Sequence, residues 1–173
     1  MYNQIEVRRM TSKDIDTVYR VFAENNIGKS LEYISECWKQ NETGERITLL
    51  AFYKEQFAGS LHLLFKSYYP FFLENGIPEV NDFNVIPILR EKGIGSALMD
   101  AIEEIALKDF GIVGIGVGLY DSYGSAQRIY AKRGYIPDGR GVMYKEQPVS
   151  PGSQVLVDDD LNLYFTKQKQ SEG

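Results

Sequence analysis

The chain has 173 residues, 43% apolar and 25% charged, which is the size and composition of one soluble globular domain with a sizeable core. A net charge of −5 lacks the basic excess of a nucleic-acid-binding surface, and no apolar run reads as a signal peptide or is long enough to cross a bilayer. One cysteine, Cys37, and one histidine, His62, exclude an intrachain disulfide and a zinc-ligand spacing, and suit a reducing cytoplasm.

Residues 5–10 alternate as a first strand. Thr11-x-x-Asp14 reads as a capping box with Asp in place of Glu, opening a helix with Ile15, Val18, Tyr19 and Phe22 on one face. Asn25-Asn26-Ile27-Gly28 interrupts it. Ser30 then caps a second helix with Leu31, Ile34, Cys37 and Trp38 inward. Residues 47–53 and 57–65 are two strands joined by Lys54-Glu55-Gln56, a hairpin. Residues 66–78 form an aromatic-rich connection in which Tyr68, Tyr69, Phe71 and Phe72 surround Pro70.

Residues 80–86 are the next strand, ended by Pro87. A basic, glycine-containing turn follows and runs into a helix over residues 93–110, with Ile94, Leu98, Ile102 and Ile105 on one stripe. Asp100, Glu103, Glu104 and Lys108 take its other faces, and Gly111 stops it. The first N–H groups of a helix lack intrahelical partners and its dipole is positive there, so the turn suits a phosphorylated ligand. Arg90, Lys92, Gly93, Ile94, Gly95 and Ser96 compose it, with charge from Arg90 and Lys92 and close backbone approach at the glycines.

Residues 112–119 form a strand whose alternating Gly114, Gly116 and Gly118 leave one face nearly bare, so another element or a ligand must approach it closely. A nicotinamide-binding reading of these glycines fails, because no strand-to-helix phosphate turn follows at that spacing. A helix over residues 122–133 ends at Gly134. Strands over residues 142–145 and 162–167 flank a loop at residues 147–160. The whole is one mixed α/β domain, residues 1–173, built around one sheet.

Two segments carry a family resemblance. Arg90-x-x-Gly93-x-Gly95, preceded by the strand at residues 79–87, resembles the Arg/Gln-x-x-Gly-x-Gly/Ala signature of the GNAT superfamily of N-acetyltransferases. Ala126-Gln127-Arg128-Ile129-Tyr130-Ala131-Lys132-Arg133-Gly134-Tyr135 resembles that family's Ala-x-x-Leu-Tyr-x-x-x-Gly-Phe segment. The element order extends the likeness over most of residues 4–167. It implies a mixed, mostly antiparallel central sheet with a V-shaped splay, flanked by helices.

The resemblance implies acetyl-CoA as co-substrate, no metal, and a small-molecule amine such as an amino acid or polyamine as acceptor, in the cytoplasm. No nucleic-acid or membrane partner is expected. A homodimer is compatible, although no motif specifies an oligomeric state. The pyrophosphate rests on the N–H groups of residues 92–96 with Arg90 assisting. The pantetheine arm lies along Asn84, Val85 and Ile86, where a backbone N–H aimed at the thioester oxygen stabilises the oxyanion. Tyr130 stands at the general acid, since a phenol of pKa ~10 can protonate a leaving thiolate. Glu79 stands at the general base, directly or through water, and Asp82 is the other acid on that strand. By period two they point to opposite faces, and Asp82 is a candidate acceptor-binding residue. Tyr68 and Tyr69 read as a lid or wall over a small acceptor. His62 is a weaker candidate base, since a lone strand histidine is more often structural.

Three positions depart from the family pattern, of which Tyr135 for the commoner Phe is conservative. Glu91 stands where many relatives carry glycine and puts a negative charge near the pyrophosphate. Tyr123 stands where many carry asparagine; the asparagine role does not carry over, although the Tyr123 hydroxyl can still contact the cofactor. Two other readings stay open: a catalytically degenerate acyl-CoA-binding module, and an acetyltransferase acting on a protein or peptide amine.

Overall fold

The computed structural model describes residues 4–171. In chain order the elements are β1 Ile5–Arg9, α1 Ile15–Glu24, α2 Leu31–Thr43, β2 Arg46–Tyr53, β3 Gln56–Leu64, α3 Pro70–Glu74 and β4 Glu79–Val85. Then come α4 Ile94–Phe110, β5 Ile112–Gly118, α5 Gly124–Lys132, β6 Ile136–Tyr144, β7 Gln147–Pro148 and β8 Leu161–Gln168. Among the described residues eight strands form one sheet, in the order β1-β2-β3-β4-β5-β8-β6-β7. Pairing is antiparallel for β1/β2, β2/β3, β5/β8, β6/β8 and β6/β7. The β4/β5 pair is parallel and joins Glu79 to Gly114 and Val80 to Ile115.

The chain divides into two compact units. Among the described residues, 4–64 with Asn81–Ile105 make the first, and Phe65–Val80 with 106–171 the second. In the first, α1 and α2 bury Val18, Phe22 and Ile34 with Met10, Leu50, Phe57 and Ile86. Phe22 meets Phe57 edge-on at 5.3 Å between ring centres. The capping box forms: the Thr11 N–H donates to Asp14 Oδ2 at 2.7 Å. Both Asp14 oxygens also accept from Arg8 at 2.8 Å, which holds that carboxyl at about 2. Ser30 Oγ accepts from the Tyr33 N–H, and left-handed Gly44 ends α2.

The buried stripes differ from the expected ones at their edges. Tyr19 and Leu31 are exposed: Tyr19 lies one step around α1 from Val18, and Leu31 opens α2 before its packed face begins. Glu103, expected on a solvated face, is buried, because α4 buries Leu98, Met99, Ile102, Glu103 and Ala106 as one wide stripe. The hairpin turn has two residues rather than three. Lys54 (φ +48) and Glu55 (φ +67) are both left-handed and Tyr53 pairs with Gln56, the geometry that matches strand twist. Tyr144-Lys145-Glu146-Gln147 repeats this tetrapeptide and this turn between β6 and β7, again with the lysine over the tyrosine ring.

In the second unit one buried cluster comprises Tyr69, Phe72, Ile77, Met143 and Tyr164. The aromatic connection contains the short helix α3, started by Pro70 and too short to leave a periodic signal. The bare face of β5 is covered by rings of the protein itself. A Cβ on Gly114 would lie 2.2 Å from Phe72, one on Gly116 2.8 Å from Tyr164, and one on Gly118 2.4 Å from Tyr123. β6 begins six residues earlier than the strand expected from residue 142, because Pro137 and the left-handed Gly139 and Gly141 mask its alternation.

Candidate active site

In the first unit a turn joins β4 to α4. A 3₁₀ turn at Pro87–Leu89 is followed by Glu91 at φ +62 and Gly93 at φ +83. The Gly93 carbonyl accepts from the Ala97 N–H at 3.0 Å, so Gly93 caps α4. The next N–H groups then sit at the positive end of a 17-residue helix. Arg90, Lys92 and Ser96 are exposed, and Ile94 is buried and anchors the turn to the core. At Gly95 a Cβ would lie 3.1 Å from the Phe83 ring, so glycine lets α4 approach β4 closely. Glu91 occupies a left-handed position, which glycine would adopt without strain.

The β4 strand presents two edges. The Ile86 N–H donates to the Ala58 carbonyl of β3 at 2.8 Å. The Asn84 carbonyl lies over Gly59, where a Cβ would come within 2.5 Å. Backbone groups alternate along a strand, so Asn84 and Ile86 serve β3, and Phe83 and Val85 carry theirs on the other edge.

Asp82 is left-handed inside this strand, at φ +49, so period-two reasoning fails at it. Its carboxylate accepts from Lys29 Nζ at 2.6 Å, Tyr33 Oη at 2.8 Å and Asn84 Nδ2 at 2.9 Å. His62 Nε2 lies 3.5 Å away. Burial opposes its charge, but His62 and Lys29 hold the carboxyl well below the usual range. His62 itself is buried, which lowers its pKa, and its Nδ1 is bonded to Thr48 Oγ1 at 2.8 Å. That environment makes the histidine a structural member of this cluster.

The second unit holds Glu79 and Tyr130. Glu79 is 5% exposed, and the Ser67 hydroxyl approaches its Oε1 at 3.4 Å. Ser67 accepts from the Tyr69 N–H at 3.0 Å. Tyr69 is buried, stacks on Tyr164 at 3.9 Å and donates its hydroxyl to Asp138 at 2.8 Å. Tyr68, beside it, is exposed. Tyr130 lies on α5, buried, with its ring 5.9 Å from that of Tyr135. Burial pushes the Tyr130 phenol up to about 12, so it stays protonated throughout the neutral range. The Tyr123 ring covers Gly118, and its hydroxyl donates to Asp159 at 2.7 Å. Tyr120 donates to the same carboxylate. Sequence reasoning passed over Lys29, Tyr33, Ser67 and Asp159; their only signal is polarity, which surface residues share.

The comparisons with known proteins bear on this arrangement. Residues 14–135 match the model of the acetyltransferase (GNAT) family. The chain belongs to that family. As a GNAT protein it is an acyltransferase. No curated protein matches the chain. Among solved structures, it is similar to a Salmonella typhimurium acetyltransferase that modifies the N-terminal serine of ribosomal protein L7/L12: TM-score 0.71, 13% identity, 97% of this chain and 96% of that one. It is also similar to yncA of the same organism, a putative acetyltransferase solved with acetyl-CoA, with TM-score 0.70, 12% identity and coverage of 98% and 96%. A chimera of the Vibrio cholerae spermidine N-acetyltransferase SpeG with hSSAT gives TM-score 0.67, 11% identity and 96% of each chain. At these identities the likeness is one of fold. Among the described residues, no group of three or more His, Cys, Asp or Glu could hold a metal ion, and no helix is long and apolar enough to cross a membrane.

Proposed function

We propose that this GNAT protein moves an acetyl group from acetyl-CoA directly to the amine of a small molecule in the cytoplasm, with Tyr130 as general acid and Glu79 as general base. The observation that carries the reading is the turn at residues 90–96, where left-handed Glu91 and Gly93 lead into the N-terminus of a 17-residue helix. That helix start suits a pyrophosphate, with Arg90 and Lys92 beside it. The free edge of β4 at Phe83 and Val85 suits the amide-rich pantetheine arm.

The chemistry is direct. Glu79 takes a proton from the ammonium, and the amine lone pair forms a bond to the thioester carbon. The carbonyl electron pair moves to oxygen, where a backbone N–H stabilises it, and returns as the C–S bond breaks. Tyr130 gives its proton to the leaving thiolate, and the second proton of the nitrogen returns to the phenolate, which leaves a neutral amide, a free thiol and the phenol restored. A phenol kept protonated at neutral pH and a carboxylate kept out of water support these two roles. The acidic net charge favours a cationic acceptor. The likeness to the L7/L12 acetyltransferases favours a second reading, a protein or peptide amine.

A thiol-release assay with acetyl-CoA against amino acids, polyamines, aminoglycosides and peptides tests the activity and separates the two acceptor classes. No turnover with any amine, despite tight CoA binding, would mark a degenerate binding module. Tyr130→Phe removes only the oxygen and should lower kcat by about 10²-fold, with little change in the KM for acetyl-CoA. Near-normal kcat in a well-folded variant would return Tyr130 to a packing role.

A further inference from the structure

Asp82 is a backbone outlier inside the strand assigned to the pantetheine arm. A non-glycine residue at φ +49 costs free energy, and it persists only where its surroundings over-determine it. The surroundings here do so. Lys29 and Tyr33 reach the carboxylate from the α1–α2 connection and α2, 53 and 49 residues away in sequence. Lys29 binds Oδ1 and Tyr33 binds Oδ2, so the carboxylate is fixed in rotation as well as position. Asn84 closes the ring: its amide donates to Asp82 Oδ1 at 2.9 Å and toward the Asp82 carbonyl at 3.3 Å. The left-handed step and the Asn84 contact are therefore one local structure. Gly59 on β3 leaves room for it, since any side chain there would strike the Asn84 carbonyl.

We infer that Asp82, clamped by Lys29, Tyr33 and Asn84, is a positioning residue that sets the backbone of residues 83–86 in the orientation that takes the pantetheine arm of acetyl-CoA. The inference rests on the acetyl-CoA reading. It separates the cofactor into two parts: the nucleotide end, held by the turn at residues 90–96, and the arm, held by β4. It also gives Asp82 a role other than contact with the acceptor. All of its identified partners are side chains of the protein itself, and its work is to hold one kink in one strand.

Calorimetric titration with two probes tests this. Acetyl-CoA fills both parts, whereas adenosine 3′,5′-bisphosphate has no pantetheine arm. Asp82→Gly accepts the left-handed backbone but lacks the clamp. It should bind acetyl-CoA about tenfold more weakly than the parent protein, the effect of losing hydrogen bonds to a charged group, while its affinity for the bisphosphate stays unchanged. Asp82→Asn keeps an acceptor for Lys29 and Asn84 and tolerates the dihedral, so it should recover most of the loss. Tyr33→Phe removes one clamp oxygen from an otherwise intact protein and should weaken acetyl-CoA alone, by about threefold. It decides the matter if the glycine variant does not fold. Unchanged acetyl-CoA affinity in Asp82→Gly or Tyr33→Phe would overturn the inference. Equal weakening of both probes would also overturn it, since that marks a general structural role. If the parent protein binds neither probe, the cofactor reading itself has failed.

Discussion

Glu91 offers a test in which backbone strain and charge can be separated. It sits at φ +62, exposed, within the turn proposed to hold the pyrophosphate. A left-handed non-glycine residue costs about 1–2 kcal/mol, and glycine relieves that while adding about 0.5–1 kcal/mol of unfolded-chain freedom. Glu91→Gly should therefore raise Tm by up to about 4 °C in a chain of this size. Glu91→Gln keeps the strain and should leave Tm unchanged. The charge acts on binding. At ~8 Å in a water-like medium each charge pair is worth about 0.5 kcal/mol, roughly halved by screening at 0.1 M salt. Against two pyrophosphate charges the repulsion is then about 0.5 kcal/mol, so both variants should bind CoA about twofold more tightly. Differential scanning fluorimetry reads the first effect, and calorimetry at low and high salt reads the second, which should vanish at high salt. A lower Tm in Glu91→Gly would refute the strain argument. Unchanged CoA affinity of Glu91→Gln at low salt would refute the placement of the charge.

Arg90→Ala and Lys92→Ala should each raise the KM for acetyl-CoA about three- to tenfold while lowering kcat less, the outcome expected of residues proposed to hold phosphate and not the reacting atoms. Normal KM with collapsed kcat in steady-state assays would sink that assignment. Gly114→Ala places a methyl 2.2 Å from the Phe72 ring, so urea unfolding should show a loss of about 1–3 kcal/mol. The Asp14 carboxyl, held at about 2 by Arg8, contributes stability that is present above its unfolded value of ~4 and is lost as pH falls toward 2. Denaturation midpoints between neutral pH and pH ~3 should fall less steeply in Asp14→Asn than in the parent protein.

The sequence by itself determined the elements whose causes are local. The stripe Ile94, Leu98, Ile102 marks α4, Ser30 and the Thr11–Asp14 box mark helix starts, and Gly93 and Gly95 mark the turn. Each reflects a period or a dihedral restriction that acts within a few residues. The alternating glycines of β5 announced a close approach, but only the folded chain decided that aromatic rings and not a ligand make it. The candidate site divided in the same way. The turn at residues 90–96 is a local motif, and its glycine and the helix start behind it were legible. The enclosure of Glu79 depends on Ser67 and the fold of the α3 segment, and the clamp on Asp82 joins residues some fifty positions apart. Burial and hydrogen-bond partners of this kind are set by strand register and by where α2 packs. A lone aspartate or lysine in the sequence carries no trace of them, because its charge reads the same in water as in a buried pair.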